Sequence, residues 1–330
     1  MKAFEYAAPQ TEAEVLQLLS SEPEATQILA GGTDLIGLMK KMVLTPDLVV
    51  NIMDVESIQQ IEPDPSGGLL IGAVVHLDEL LEHPYLSDFP SILQAIDGIN
   101  SMQLQAQGTI GGEVCQRPHC WFFRGGHGLL ANRGVAAAEG DNRYHAIFGN
   151  SGPAKFVSAS RLAPALISLG AQVRIVGPSA GQETILPLAD FYRSPRHEGQ
   201  HENVLLSNQL LTHIFVPPID GRATATYEVR HGEGPDDPLA TAAVALRIDG
   251  GTVREAQVVL GHVASTPWIS MDAAQALVGL PVTESTAHQA GEAAVALATP
   301  LADNEYKVQL AQVAVKRAVL RAAGLETGGF

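Results

Sequence analysis

Leu29-Ala30-Gly31-Gly32-Thr33-Asp34-Leu35 decides the reading of this chain, together with a second glycine-bearing segment, Gln107-Gly108-Thr109-Ile110-Gly111-Gly112. The first follows an apolar run, Thr26 to Ala30, that reads as a strand, and leads into Asp34 to Met42, which reads as a helix. Adjacent glycines reach positive φ without strain and carry no Cβ, so successive N–H groups can converge on an anion. The start of a helix adds a favourable partial positive charge. One Gly-Gly turn is an ordinary tight connection. Two of them look like two walls of one diphosphate site and point to a bound dinucleotide. The familiar phosphate motifs are absent: a P-loop needs Gly-Lys-Ser/Thr where this chain has Gly37-Leu38-Met39, and neither turn has the spaced glycines of a Rossmann fingerprint.

Working outward, Thr11 and Glu14 form a capping-box pattern ahead of Val15, Leu18 and Leu19, predicting a first amphipathic helix. A β-α-β unit then closes at Leu48-Val49-Val50-Asn51-Ile52. After the turn-rich Glu62-Pro63-Asp64-Pro65-Ser66-Gly67-Gly68 a new apolar segment begins at Leu69, so the first part divides into lobes of about 1–55 and 56–218. Periodicity fades between Gly111 and Gly149, around Gly125-Gly126-His127-Gly128, and long irregular stretches are usually functional or mobile. Order is expected to return at His145-Ala146-Ile147-Phe148, in a helix from Leu162 to Leu169, and in strands over Ala171 to Val176 and Leu210 to Val216. Pro217-Pro218-Ile219-Asp220-Gly221 interrupts helix and strand alike and marks the boundary to a part spanning 219–330. That part reads as strands Thr224 to Val229, Thr241 to Ile248 and Val253 to Val263, with a hairpin at Asp249-Gly250-Gly251, then helices near Ser270 to Val278, Ser285 to Ala298 and Glu305 to Ala323. The fold class expected is α+β, with an antiparallel sheet packed on helices in the C-terminal part.

Composition narrows the function. The chain has 330 residues, 46% apolar and 17% charged, which suits a well-buried protein of two domains or more. A net charge of −16 would repel a polyanion, so nucleic acid is excluded as a partner. No stretch approaches the roughly 20 apolar residues of a membrane span, and a cytoplasmic location is expected. Cys115 and Cys120 are the two cysteines, too few for a disulfide framework or a four-cysteine metal site.

The order of three motifs then carries a resemblance. Ala30-Gly31-Gly32-Thr33-Asp34-Leu35, Gly108-Thr109-Ile110-Gly111-Gly112 and Ser160-Arg161-Leu162-Ala163-Pro164-Ala165-Leu166 resemble the successive FAD-contacting motifs of the flavoprotein subunits of molybdenum hydroxylases. The opening Met1-Lys2-Ala3-Phe4-Glu5-Tyr6 and the distal Leu260-Gly261-His262-Val263-Ala264 with Pro267-Trp268 are also similar, so the resemblance spans essentially the whole chain. It implies a two-lobed FAD-binding domain of the PCMH type followed by an antiparallel-sheet domain with helices. The implied function is electron transfer through FAD, from a molybdenum-cofactor subunit by way of a [2Fe-2S] subunit, and on to NAD+ or another acceptor. The backbone of Ala30 to Leu35 and of Thr109 to Gly112 would cradle the FAD diphosphate, with hydroxyl contacts from Thr33 and Thr109. The full implied contact set is Leu29, Ala30, Gly31, Gly32, Thr33, Asp34, Leu35, Gly108, Thr109, Gly111, Gly112, Glu113, Ser160, Arg161 and Leu211. No catalytic acid–base pair is nominated, because the redox chemistry belongs to the flavin.

This chain departs from the family pattern at several points. Ala159-Ser160-Arg161 stands where Pro-Ser-Asp is usual, Glu113 where Asn often follows the second Gly-Gly, and Glu228 where a lysine commonly follows a tyrosine. Those changes motivate a second reading, a non-redox scaffold subunit that has lost productive flavin binding. Gln116-Arg117-Pro118-His119-Cys120-Trp121-Phe122-Phe123-Arg124 is similar to the segment leading into the [4Fe-4S] loop of one branch of the family. Leu130, Val135 and Ala154 stand where that branch would place further cysteines, so neither a cluster nor a mononuclear metal is expected.

Overall fold

The computed structural model describes residues 1–330 apart from 23, 233, 235, 329 and 330. Thr11 caps the helix Glu12–Leu18: its hydroxyl accepts from the Glu14 N–H at 3.2 Å, and the Glu14 carboxylate accepts in return from the Thr11 N–H. Strands β1 (Glu5–Ala7), β2 (Thr26–Leu29) and β3 (Leu48–Asn51) form a parallel sheet in the order β1-β3-β2. The helix Leu35–Lys40 makes the crossover from β2 to β3. This small layer cannot enclose a core alone. Its Val15, Val50, Ile52 and Ile58 pack with Val74, Val176 and Leu210 of the following lobe.

That lobe is built on a five-stranded antiparallel sheet of β4 (Ile61–Pro63), β5 (Leu69–Gly72), β6 (Gln172–Val176), β7 (Glu183–Pro187) and β8 (Leu210–Val216), in the order β4-β5-β8-β6-β7. The buried helix Leu162–Ser168 and the amphipathic helix Pro90–Asp97 close its core. Short strands β4 and β7 escape a pattern reading because their exposed residues show no apolar face. Between Gly111 and Gly149 the regular structure reduces to the short helices Ile110–Val114, Trp121–Arg124 and Val135–Glu139. Ala131, Asn132, Arg133 and Gly134 all take positive φ, a costly turn for residues that carry a Cβ. His145 to Phe148 forms no strand; the N–H groups of Ile147 and Phe148 both donate to the Val263 carbonyl.

The C-terminal part pairs β9 (Ala223–Val229), β10 (Ala240–Asp249), β11 (Thr252–Gly261) and β12 (Trp268–Ile269) antiparallel in the order β12-β11-β10-β9. Gly250 and Gly251, at φ +56° and +79°, form the two-residue turn that joins β10 to β11. Such a turn needs positive φ at both positions, which glycine supplies. Helices Met271–Leu277, Glu284–Val295 and Tyr306–Ala322 cover one face of this sheet. Ala243 and Val259 project from the other face into the core of the preceding lobe. Among the described residues no helix is long and apolar enough to cross a membrane.

Candidate functional site: a cofactor cleft between the lobes

Gly31 has no room for a side chain. A Cβ built on it would stand 1.6 Å from the Gln107 carbonyl oxygen, so the two glycine segments expected to face each other are in van der Waals contact. A cleft of about 470 Å³ opens beside this junction. That lies in the roughly 300–1,000 Å³ range usual for small-molecule and cofactor sites. Ala30 to Leu35, Gly108, Thr109, Gly111 to Glu113, Arg161 and Leu211 line it. Leu29 and Ser160 do not: Leu29 ends β2, and the buried Ser160 hydroxyl accepts from the Ala163 N–H in the first turn of the next helix.

The two walls present their backbone differently. In the first, the N–H groups of Gly31, Gly32, Thr33, Asp34 and Leu35 have no acceptor among the described residues, and Gly32 takes φ +76°. An array of unpaired N–H groups turned on a cleft is what an anion requires. In the second, Gly111 and Gly112 lie inside the short helix Ile110–Val114 rather than in an open turn. Ile110 donates to the Val75 carbonyl, Gly111 to the Ala73 carbonyl and Gly112 to the Thr109 hydroxyl, so in this wall the Thr109 N–H alone has no acceptor among the described residues. The second wall therefore works chiefly by shape: a Cβ on Gly111 would come within 2.7 Å of Ala73.

Asp34 has a task its turn position conceals. Its carboxylate accepts from the Arg117 N–H at 2.9 Å and pairs with Arg124 at 2.6 Å, tying the 117–124 segment to the first wall. Arg117 pairs in turn with the buried Glu202 at 2.5 Å. Neither arginine stands out in sequence, because each partner is remote along the chain.

Glu113, Arg161 and Glu228, the three departures from the family pattern, meet at one end of the cleft. The Glu113 carboxylate accepts from the Arg161 N–H at 2.6 Å. The Arg161 guanidinium donates to the carbonyls of Gly98 and Asp236 and faces Glu228 at 3.5 Å and Asp237 at 3.8 Å. Asp237 lies 2.5 Å from His119 Nδ1, while His119 Nε2 lies 2.9 Å from the Gln116 amide nitrogen. That geometry fits Nδ1–H donating to Asp237 and Nε2 accepting from Gln116. Burial pushes the Glu228 carboxyl up to about 7, only partly offset by Arg161 and Arg230, and burial likewise raises Glu113. Burial opposes ionisation of Asp237 too, but the hydrogen bond from His119 and the positive charge of nearby Arg161 outweigh it and bring Asp237 down to about 2. The three departures thus share one cluster, a relation invisible to a position-by-position reading, although neither Glu228 oxygen has a hydrogen-bond partner among the described residues.

The stretch resembling a cluster loop is filled with apolar side chains. Leu130 and Ala154 are buried with Leu38, Leu44, Phe123 and Phe156, and Cys120 packs against them. Cys120 Sγ lies 3.2 Å from His145 Nε2, and Val135 is exposed. Among the described residues no group of three or more His, Cys, Asp or Glu side chains is arranged to hold a metal.

The profile of the FAD binding domain in molybdopterin dehydrogenase matches residues 2–219, and that of the CO dehydrogenase flavoprotein C-terminal domain matches residues 225–322. The aldehyde oxidoreductase FAD-binding subunit PaoB of Escherichia coli (strain K12) is 32% identical over 94% of this chain and 96% of its own length. The carbon monoxide dehydrogenase medium chain of Afipia carboxidovorans is 28% identical over 97% and 96%. The crystal structure of quinoline 2-oxidoreductase from Pseudomonas putida 86 shares the fold, with a TM-score of 0.77 at 24% identity over 98% of this chain and 99% of that one.

Proposed function

The chain belongs to the family of FAD-binding subunits of molybdenum hydroxylases, and from that premise we propose that the cleft between its lobes holds FAD as the electron carrier of a multi-subunit oxidoreductase. The unpaired N–H groups from Gly31 to Leu35 carry this reading, since they answer the charge of a diphosphate. Thr33 adds a hydroxyl, and the smooth face of Gly108 to Gly112 closes the opposite side. The apolar slot of Ile28, Ile52, Leu205, Leu210 and Leu211 suits the adenine, and the polar end at Glu113, His119, Arg161 and Asp237 suits the heteroatom edge of the isoalloxazine. Bound FAD supplies the redox chemistry; the chain binds it, orients it and excludes water. The FAD-binding domain spans residues 1–218 and the C-terminal domain residues 219–330.

Electrons enter from a [2Fe-2S] subunit that serves a molybdenum-cofactor subunit and leave for NAD+ or another acceptor. The relatives support this assignment: PaoB is named as the FAD-binding subunit of an aldehyde oxidoreductase, and the Afipia protein as the medium chain of a carbon monoxide dehydrogenase. The alternative, a non-redox scaffold subunit that has lost productive flavin binding, rests on Glu113, Arg161 and Glu228, and the identity and amount of bound cofactor separate the two readings.

The test is to purify the chain, release its cofactor by denaturation and identify it, alongside Gly32→Asp. One FAD per wild-type chain is expected, with loss from a folded Gly32→Asp protein, whose added carboxylate would enter the proposed diphosphate nest. Full occupancy in that variant would reject the site. Co-purification with molybdenum and [2Fe-2S] subunits from the native host tests the assembly.

A further inference from the structure

Arg161 is almost fully buried where three parts of the chain meet, and each of its donors reaches a different one. Its backbone N–H binds Glu113 of the short helix Ile110–Val114. The guanidinium binds the Gly98 carbonyl at the end of the helix Pro90–Asp97, and the Asp236 carbonyl from the C-terminal domain. Arg230 also donates to the Gly98 carbonyl, at 2.7 Å, and a Cβ on Gly98 would stand 2.5 Å from a Glu228 oxygen. The fit of β9 against the FAD-binding domain therefore depends on this glycine and these two arginines. The segment that Arg161 grips leads directly to Asp237, whose contact with His119 places an imidazole on the cleft wall.

We propose that Arg161 is a positioning residue for the isoalloxazine end of the cleft, holding the Asp236–Asp237 segment so that Asp237 fixes His119 toward the bound cofactor. This rests on the placement of FAD proposed above. A planar fork is needed rather than a charge, because two separate carbonyls and two carboxylates surround one guanidinium and a lysine ammonium cannot span them.

The test compares flavin midpoint potentials in Arg161→Gln, Arg161→Lys, His119→Ala and the double variant Arg161→Gln/His119→Ala, with protease sensitivity of the 230–239 segment measured on FAD-free protein. Arg161→Gln and Arg161→Lys should shift the potential alike and in the same direction as His119→Ala. The double variant should shift no further than the larger single change, and the 230–239 segment should be cut at least tenfold faster in both Arg161 variants. A wild-type potential in Arg161→Lys, or additive shifts in the double variant, would mean that Arg161 acts through its own charge and would overturn the proposal. If Arg161→Gln does not fold, Arg161→Lys and its double with His119→Ala carry the same comparison. A wild-type potential in His119→Ala together with faster cleavage in the Arg161 variants would instead reject the placement of the isoalloxazine while leaving the grip of Arg161 on the segment established.

Discussion

At the scale of single residues, the cleft is set by atoms that are missing. Gly31→Ala puts a methyl group into the Gln107 carbonyl, a backbone atom that cannot yield without parting the lobes. Gly32→Ala meets only side-chain carbons of Leu29 and Ile36, at 3.2 and 3.3 Å, and pays mainly for positive φ, roughly 1–2 kcal/mol. Gly31→Ala should therefore lower the thermal midpoint more and release more FAD than Gly32→Ala; the reverse ranking in paired melting and occupancy measurements would refute the contact. Glu228 gives a pH prediction. Its folded-state value near 7 exceeds the ordinary 4.5, so the folded chain binds more protons than the unfolded chain between those values. The Glu228 contribution to stability is therefore fully present below pH 4.5 and is lost as pH rises through 7. Over that window wild type should lose stability relative to Glu228→Gln by up to about 3 kcal/mol. Parallel stability curves for the two proteins from pH 4.5 to 8 would exclude it.

At the scale of elements, the irregular segment after Gly111 is held by polar contacts with the last helix rather than by its own ladder. The buried Lys307 ammonium donates to the carbonyls of Tyr144, His145 and His262, and Asn304 binds those of His145 and Ala146. Lys307→Met would leave the Tyr144 and His262 carbonyls without their donor, each costing about 1–3 kcal/mol if it stays buried, while the His145 carbonyl keeps its bond from Asn304. The expected result is faster amide exchange at Ile147 and Phe148 than at the strand β8, and unchanged exchange there would show that packing alone fixes the loop. How far the sequence reveals such elements depends on where their partners lie. The capping box, the β-α-β unit and the Gly250-Gly251 hairpin are legible because their signals sit within a few residues. The two-residue β12 takes its register from β11 and carries no period of its own. The Arg161 cluster joins residues 48 to 76 positions away, so its members read separately as three anomalies. Motif order located the cleft lining from Ala30 to Glu113, whereas His119 and Asp237 required the fold.

At the scale of the whole molecule, the chain's redox inventory should consist of one flavin. With Leu130 and Ala154 locked in an apolar cluster beside Cys120, anaerobic reconstitution with iron and sulfide should leave the purified chain essentially free of both. Stoichiometric acid-labile sulfide with a four-iron spectrum would contradict this. Electrons from the partner subunit would then reach FAD without an intervening centre on this chain. The contact between Gly31 and Gln107 also has a temporal side. Translation delivers the N-terminal nest first, but its opposing wall waits for Gly112 and its polar end for Asp237, residue 237 of 330. A ribosome-bound chain is thus a poor trap for FAD until most of it has emerged. Cofactor loading becomes a checkpoint on completed folding, and in cells short of riboflavin the unloaded subunit should be the form exposed to proteolysis.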